Sequence, residues 1–170
     1  MMRTVRHRVV LSAALLVSVV VLVAVVAPRP AHAAEWGAIV PGESTIEVVR
    51  ARWGEPTRSE ALKIESYDAT QWVYEGDRAP PGIRRLTFEF GLLAAAGYQP
   101  DVVRIMRLEP NPGIFTRNTI VIGWGVPTRA GKDHETPVFF YRSGLLVEFD
   151  KEGWLALRMT FTPPQPEGGQ

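Results

Sequence analysis

A short phrase occurs twice in this chain: Trp-Gly-Glu-Pro-Thr-Arg at 53–58 and Trp-Gly-Val-Pro-Thr-Arg at 124–129. The two copies lie 71 residues apart, and the match extends upstream without a gap. Eight of eighteen aligned positions are identical between 41–58 and 112–129. Self-similarity at a fixed spacing is typical of a duplicated structural unit. The sequence therefore predicts two related units, and this repeat constrains the fold more than any other feature.

The upstream half of the first copy predicts a helix over 44–53. Ser44 and Glu47 have the Ser-x-x-Glu spacing of a capping box, in which each side chain bonds to a backbone N–H at the helix start. Gly54 suits the left-handed residue that follows many helices, and Pro56 prevents continuation. The repeated phrase is thus predicted to end a helix.

The second copy predicts a helix that begins after Thr116 as N-cap and ends at Trp124. The β-branched residues 119–122 by themselves favour a strand. The repeated stop signal favours a helix, and we predict a helix on that ground.

Each predicted helix is followed by strand signals, which are runs rich in β-branched and aromatic residues. A longer connection is predicted over 91–100. The predicted strands are 62–67, 70–74, 84–90 and 102–108 in the first unit, and a hairpin of 145–149 with 155–161 in the second.

The last hairpin is predicted with a three-residue loop after Asp150, closed by Gly153 in the left-handed region. This loop fixes the register and places six apolar side chains on one face. The predicted pairs are Phe149 with Leu155, Val147 with Leu157 and Leu145 with Met159.

The predicted fold class is α+β, with two tandem repeats, each a short helix packed on an antiparallel β-meander, after an N-terminal signal segment. The predicted boundaries are 34–110 for the first helix-plus-sheet repeat and 111–162 for the second. Residues 163–170 are rich in Pro and Gly and are predicted to be a disordered tail. Each repeat is small, so we expect the two to share a hydrophobic contact.

Residues 1–33 read as a signal peptide. Three arginines precede the apolar run Val9–Ala27, and Ala31-His32-Ala33 is a small-x-small cleavage site. The alternative is an uncleaved anchor, because the 19-residue run approaches the ~20 residues that span a bilayer. The predicted location is periplasmic or secreted, or alternatively anchored to the inner membrane through residues 9–27.

Charge and cysteine content exclude several classes of function. The formal net charge of +1 includes four arginines before Ala34, and the remainder carries 15 − 18 = −3. No basic stripe remains, so no nucleic-acid partner is predicted. The chain has no cysteine, which excludes disulfides, thiol catalysis, Cys-ligated metal and a lipid-modified cysteine.

No catalytic residue, metal site or cofactor is predicted. His134 is the one histidine after residue 33, and its neighbours Asp133 and Glu135 are adjacent side chains that cannot converge on one ion. No serine has the context of a nucleophile elbow. We therefore predict that the chain is not an enzyme. The alternative is an envelope hydrolase that uses carboxylates and possibly His134.

Residues at and after the repeated phrase are the candidate binding residues. The arginines could anchor a carboxylate of a partner or pair with an acid of a neighbouring strand, and the tryptophans could bind a ligand or fill the core. The candidates are Trp53, Arg58, Tyr74, Trp124, Arg129 and Tyr141.

The pattern resembles the SmpA/OmlA domain of the BamE-like outer-membrane assembly proteins. The resemblance rests on a Thr-x-x-x-Val helix, a Gly-x-Pro-Thr corner, an aromatic-x-Tyr strand and the Gly-Leu-Leu-Val-Glu-Phe-Asp-x-x-Gly ending at 144–153. The tandem form is similar to the architecture of the β-lactamase inhibitory protein. The resemblance implies a non-enzymatic envelope protein that works by surface contact.

The predicted function is therefore an exported binding or assembly-accessory module of the cell envelope, acting through contacts with a protein partner. The alternatives are an inhibitor of a secreted enzyme, the hydrolase named above, and a binder of a small ligand or glycan between the units.

Overall fold

The structure, a computed structural model, describes residues 33–165. The predicted signal segment, including the run 9–27, lies outside the described residues apart from Ala33, and so do residues 166–170 of the predicted tail. No helix within the described part is long and apolar enough to cross a bilayer.

The described chain contains two short α-helices, one 3-10 turn (Gly76–Arg78) and one antiparallel sheet of eight strands. The sheet order is β1-β2-β3-β4-β8-β7-β6-β5. In chain order the elements are α1 (Ile46–Trp53), β1 (Arg58–Ile64), β2 (Tyr67–Glu75), β3 (Ile83–Ala94), β4 (Gly97–Pro110), α2 (Arg117–Trp124), β5 (Arg129–Asp133), β6 (Thr136–Tyr141), β7 (Leu145–Phe149) and β8 (Ala156–Phe161).

The prediction of an α+β fold with two tandem helix-plus-sheet repeats is wrong, because the strands form one continuous sheet. Strands β4 and β8 pair through Met106↔Phe161, Arg107↔Thr160 and Leu108↔Met159. A separate four-stranded meander would leave the N–H and C=O groups of β4 and β8 unpaired at an edge. Pairing the two strands removes both edges and buries Met106, Leu108, Met159 and Phe161 completely.

The two faces of the sheet differ in what covers them. On the helix face, Tyr74, Phe88, Met106, Phe161 and Val147 belong to a single hydrophobic core that also contains one buried residue from each helix. The other face, which we call the open face, carries the alternate residues of each strand, and no helix of the described chain lies on it. Several ion pairs between neighbouring strands lie on the open face, among them Arg85 with Glu75 and Arg158 with Glu148.

The predicted N-terminal cap is wrong for α1 and confirmed for α2. Helix α1 begins at Ile46 with Thr45 as N-cap and no side-chain cap, so the capping box predicted for Ser44 is wrong. The Ser44 hydroxyl instead accepts a 2.9 Å hydrogen bond from the Val40 N–H in the preceding turn. Helix α2 follows Thr116 as predicted, and a reciprocal capping box between Thr116 and Thr119 stabilises its first turn.

The connection predicted over 91–100 is wrong, because β3 and β4 continue through it as a long hairpin with a two-residue turn. Leu92 pairs with Gln99, and Leu93 pairs with Tyr98. The Tyr98 ring stacks on Tyr67 at 4.4 Å between centroids and supports the hairpin from β2. The Ala-rich sequence here lacks the β-branched residues that indicate a strand.

The predicted register of the last hairpin is also wrong. Strand β7 pairs with β8 through Leu145↔Phe161, Val147↔Met159 and Phe149↔Ala156, with a bulge near Phe149. The Asp150 carboxylate accepts hydrogen bonds from the backbone N–H groups of Trp154 (2.7 Å) and Leu155 (3.1 Å), which enlarges the loop. Leu157 is consequently 52% exposed, whereas Met159 is fully buried.

Candidate functional site

Both repeated tryptophans pack against the core. Trp53 stacks on Trp36, with ring centroids 5.4 Å apart and planes 11° from parallel. Trp124 packs edge-on against Phe161, and its Nε1 donates a 3.3 Å hydrogen bond to the Glu35 carbonyl. These contacts fit the structural interpretation of the tryptophans, because most of each indole is occupied by the chain itself.

The two candidate tyrosines hold the helix ends. The Tyr74 hydroxyl donates to the Gly54 carbonyl at 2.9 Å, and the Tyr141 hydroxyl donates to the Gly125 carbonyl at 3.0 Å. Both rings are buried. Burial, together with the Glu55 carboxylate, raises the pKa of Tyr74 to about 12. Burial also raises the pKa of Tyr141.

The first candidate arginine, Arg58, forms ion pairs with two acids of its own sheet. Arg58 Nε lies 2.5 Å from a Glu60 oxygen on the same strand, and its Nη1 lies 3.0 Å from a Glu75 oxygen on β2. Glu75 also binds Arg85 at 3.0 Å. Arg58 thus makes the contact that its second predicted role describes, an ion pair with an acid of a strand.

Arg129 occupies the matching position in the second copy, but neither acid is present there. The 71-residue offset places Gly131 where the first copy has Glu60. The threonine of each repeated phrase identifies the residue that corresponds to Glu75. The Thr57 hydroxyl accepts from the Glu75 N–H at 3.0 Å, and the Thr128 hydroxyl accepts from the Arg142 N–H at 3.1 Å. Arg142 therefore occupies the position in the second copy that Glu75 occupies in the first.

In the second copy, Gly131 and Arg142 replace the two acids, so no carboxylate among the described residues lies beside Arg129. Arg129 makes no ion pair with any residue between 33 and 165. Gly131 provides space, since a Cβ there would have no heavy atom within 4 Å. The second guanidinium, on Arg142, is exposed.

A groove of about 360 Å³ lies at this position on the open face, at the outer edge of the sheet. Val138 and Phe140 of β6 form its half-buried apolar floor. Strand β5, exposed along its whole length, forms its outer side and pairs only with β6. The lining residues, which we call the basic groove, are Arg129, Gly131, Lys132, Val138 and Phe140.

A second cavity of about 340 Å³ opens where β4 and β8 diverge below their three paired residues. Its charged residues neutralise one another. Arg84 lies 2.9 Å from Glu109, and Arg158 lies 3.2 Å from Glu148. With each cation already paired, this cavity offers no free charge to a ligand.

His134 lies at the β5–β6 turn and is 97% exposed. Its φ of 52° is a left-handed turn conformation, and the Asp133 carboxylate is 3.9 Å from its Nε2. No group of three or more potential metal ligands occurs within the described residues. The structure brings no second catalytic group to His134.

Sequence reasoning identified Arg129 but missed Gly131, Lys132, Val138, Phe140 and Arg142. A comparison of the acids in the two copies would have found part of the groove, because Glu60 aligns with Gly131 at the same offset. Glu75 and Arg142 are not 71 residues apart, so the sequence repeat does not align them. Their equivalence is visible only from the threonine contacts in the structure.

No protein-family model matches the sequence, and no curated protein matches it. Among solved structures, the chain is similar to a DUF4309 family protein (YjgB) from Bacillus subtilis, with TM-score 0.47, 15% identity and coverage of 74% of this chain and 82% of that one. It is also similar to an extracellular protein containing a SCP domain from Bacillus anthracis, with TM-score 0.45 and 14% identity. That match covers 82% of this chain and half the length of the other protein. The resemblance to the SmpA/OmlA domain stays a prediction.

Proposed function

We propose that the chain is an exported, non-enzymatic protein-binding module that holds an acidic, extended segment of a partner along β5. The observation that carries the proposal is the missing acid pair beside Arg129. The same corner of the first copy shows how two carboxylates bind an arginine in this position, at 2.5 and 3.0 Å. A partner would supply the carboxylates that the second copy lacks.

The geometry of β5 favours an extended partner. An edge strand presents unpaired N–H and C=O groups, and a peptide can add to it as a further strand. Main-chain hydrogen bonds then give affinity, and alternate side chains give specificity. On the open face, one side chain of the added strand would contact Arg129, and the side chain two residues along would cover Val138. Arginine is suited to this role because its guanidinium binds a carboxylate through two parallel hydrogen bonds.

The other outer strand of the sheet, β1, is less suited to bind an acidic segment. Strand β1 is also an outer strand, but Arg58 there is already paired, and Lys63 binds Asp68 at 2.6 Å. An acidic segment would have to compete with these internal acids at β1. At β5, Arg129 has no acid partner among the described residues, and the one acid of the strand, Asp133, lies at its far end beside His134, so β5 is the proposed edge.

Export is proposed from the basic residues, apolar run and Ala-x-Ala site at the start of the sequence. The finer location, a periplasm or cell envelope, is part of the same proposal. An exported module without cysteine relies on its core alone for stability in an oxidising compartment.

Selection from a random peptide display library on the purified protein tests the proposal. We expect acidic peptides to be enriched. Charge reversal in Arg129→Glu/Arg142→Glu should lower their affinity by at least about tenfold, since a hydrogen bond to a charged group contributes ~1.5–3 kcal/mol. Arg58→Glu is the matched control and should leave the affinity unchanged.

Selected peptides without an acidic bias would contradict the proposal, as would equal losses in the Arg58 and Arg129 variants. Shifts of backbone amide resonances on addition of a selected peptide provide the second measurement. They should be largest along β5 and β6, and shifts confined to β1 would place the peptide at the wrong edge.

A further inference from the structure

Strand β5 carries opposite charges at its two ends. Arg129 and Asp133 begin and end the five-residue strand, with Gly131 at its centre. Residues two apart along a strand share a face, so all three positions lie on the open face. Arg129 is exposed, and the Asp133 side chain is 76% exposed with its nearest cation, His134 Nε2, at 3.9 Å. The charges of β5 are therefore complementary to those of the same strand read in the opposite direction.

The outward hydrogen-bonding groups of β5 belong to the residues between these three. The turn after Asp133 closes on a hydrogen-bonded pair with Thr136. Hydrogen-bonded and non-hydrogen-bonded residues alternate along an antiparallel pair, so the backbone groups of every second residue from Asp133 back to Arg129 point to β6. The N–H and C=O groups of Ala130 and Lys132 point away from the sheet and have no strand partner in the described chain.

One antiparallel register of β5 with β5 of a second copy satisfies both features. Centred on Gly131, this register sets Ala130 of each copy opposite Lys132 of the other, so their outward N–H and C=O groups bond to one another. It also sets Arg129 of each copy opposite Asp133 of the other. These are non-hydrogen-bonded positions, where opposite side chains approach most closely, with Cβ atoms about 4.5–5.5 Å apart.

Registers displaced by one residue lose this match. Moving the centre to Lys132 sets two lysines directly opposite one another, and like charges in that position destabilise a sheet. Moving it to Ala130 sets Asp133 opposite Pro127, and a proline has no N–H to give to the ladder. A lysine on an outer strand usually discourages pairing. In the register centred on Gly131, however, Lys132 faces only the small side chain of Ala130.

We propose that two copies of the chain pair through β5, with Arg129 of each copy bound to Asp133 of the other. The two eight-stranded sheets then become one continuous sheet. Arg129 gains from the second copy the carboxylate contact that Arg58 makes within its own sheet. Each copy contributes the same strand, so the contact is isologous and closes at two copies.

The contact is small, which makes the dimer reversible. Strand β5 has five residues, and pairing it with one other strand buries less than the ~1,200 Å² of a stable interface. We therefore expect dissociation on dilution, which frees β5. An acidic segment and a second copy would compete for the same strand. That competition rests on the proposed function, whereas the dimer itself does not.

Charge variants of the purified full-length chain test the pairing by sedimentation in one mild detergent. Arg129→Asp places two acids opposite one another at each end of the paired strands, and Asp133→Arg places two arginines there. Either variant should raise the Kd of the dimer by at least about tenfold, because opposite-charge pairs become like-charge pairs. An equimolar mixture of the two variants should dimerise again, since each aspartate then faces an arginine. Arg58→Asp, at the matching position of β1, is the control and should leave the Kd unchanged.

The absence of cysteine allows a cross-link to locate the contact. In the proposed register position 131 faces itself at a Cα separation of about 4.5 Å, which is within the range that a disulfide bridges. Mild oxidation should link Gly131→Cys to itself, and adding Arg129→Asp to the same chain should abolish the link. Ser59→Cys, on the outer strand β1, is the control and should not form a link.

A wild-type chain that stays monomeric at millimolar concentration would overturn the proposal. So would a mixture of the two charge variants that fails to dimerise, or links between Gly131→Cys and Ser59→Cys, which indicate head-to-tail pairing of β5 with β1. Peptide selection separates this proposal from the proposed function. A dimer that selects no acidic peptide would contradict only the proposed function, and peptide binding by a strictly monomeric chain would contradict only the dimer.

Discussion

The Tyr74 hydroxyl donates a 2.9 Å hydrogen bond to the carbonyl oxygen of Gly54, the residue that ends α1. Tyr141 makes the same bond to Gly125 at the end of α2. Tyr74 lies on β2 and Tyr141 on β6, and each of these strands is the neighbour of an outer strand of the sheet. Each tyrosine thus ties a helix end to the sheet. A carbonyl at a helix C-terminus has no partner within the helix, so this bond satisfies a group that burial would otherwise penalise.

Tyr74→Phe should lower the free energy of unfolding by about 1–2 kcal/mol, because the Gly54 carbonyl loses its donor. Urea unfolding of the variant and of the wild type measures the difference. Tyr141→Phe is expected to give a loss of similar size. Tyr67→Phe is the control, since Tyr67 is an exposed tyrosine that makes a stacking contact without a hydroxyl bond.

The raised pKa of Tyr74 predicts a loss of stability at alkaline pH. Above the ordinary tyrosine pKa of about 10, the unfolded chain loses the proton that the folded chain retains up to pH about 12. The free energy of unfolding should therefore fall as pH rises through that window, and the Tyr74 hydroxyl should have no effect on its pH dependence below it. Tyr74→Phe should show a smaller fall in urea titrations across the window. An equal fall in both proteins would assign the alkaline loss to other groups.

Gly131→Glu should fill the vacant carboxylate position from within the chain. The new side chain copies Glu60 of β1 and should pair with Arg129, so that selected acidic peptides lose their binding to the groove. The site is open, and the stability should change by no more than about 0.5 kcal/mol. Gly131→Gln is the control of matched size. A glutamate variant that binds peptides as well as the glutamine variant would contradict the role of Arg129.

Gly144→Ala should destabilise the protein by several kcal/mol, at about the upper end of single substitutions. The φ of Gly144 is 96°, and an added Cβ would lie 2.0 Å from the backbone oxygen of Thr162. A backbone atom in a paired strand end cannot move away cheaply. Gly123→Ala, inside α2 with open space around it, should instead stabilise by about 0.5–1 kcal/mol. Thermal unfolding followed by circular dichroism distinguishes the two signs.

The observed register of the last hairpin predicts unequal costs for two neighbouring truncations. Met159→Ala should cost about 2–5 kcal/mol because Met159 is fully buried, whereas the exposed Leu157 should tolerate Leu157→Ala with a loss below about 1 kcal/mol. Equal costs would favour the register in which Leu157 faces Val147. Chemical denaturation of both variants is sufficient to decide.

The sequence predicted the local features whose causes lie within a few residues. The end of each helix was predictable because Gly54 and Gly125 provide left-handed residues and a proline follows two positions later. The start of α2 was predictable for the same reason, since Thr116 and Thr119 bond to one another.

The features that depend on distant contacts were missed. The closure of one sheet requires β4 and β8 to meet across about fifty residues of chain, and nothing in either strand alone specifies its neighbour. The predicted turn from Asp150 to the left-handed Gly153 is present. The register nevertheless differs, because the Asp150 side chain also binds the N–H groups of Trp154 and Leu155 and keeps these residues in the loop. The different states of Arg58 and Arg129 depend in part on Glu75, an acid that the neighbouring strand β2 contributes and that no residue near Arg58 in the sequence indicates.

Strand β8 comes last in chain order among the described strands, yet it lies in the middle of the sheet between β4 and β7. A ribosome or a translocation channel therefore releases all seven other strands before the strand that joins them becomes available. Until then β4 and β7 each have an unpaired side, and such sides are sites of aggregation. Any proteolytic cut that removes β8 would recreate both sides at once. The eight strands can thus form one sheet only when β8 is present and intact.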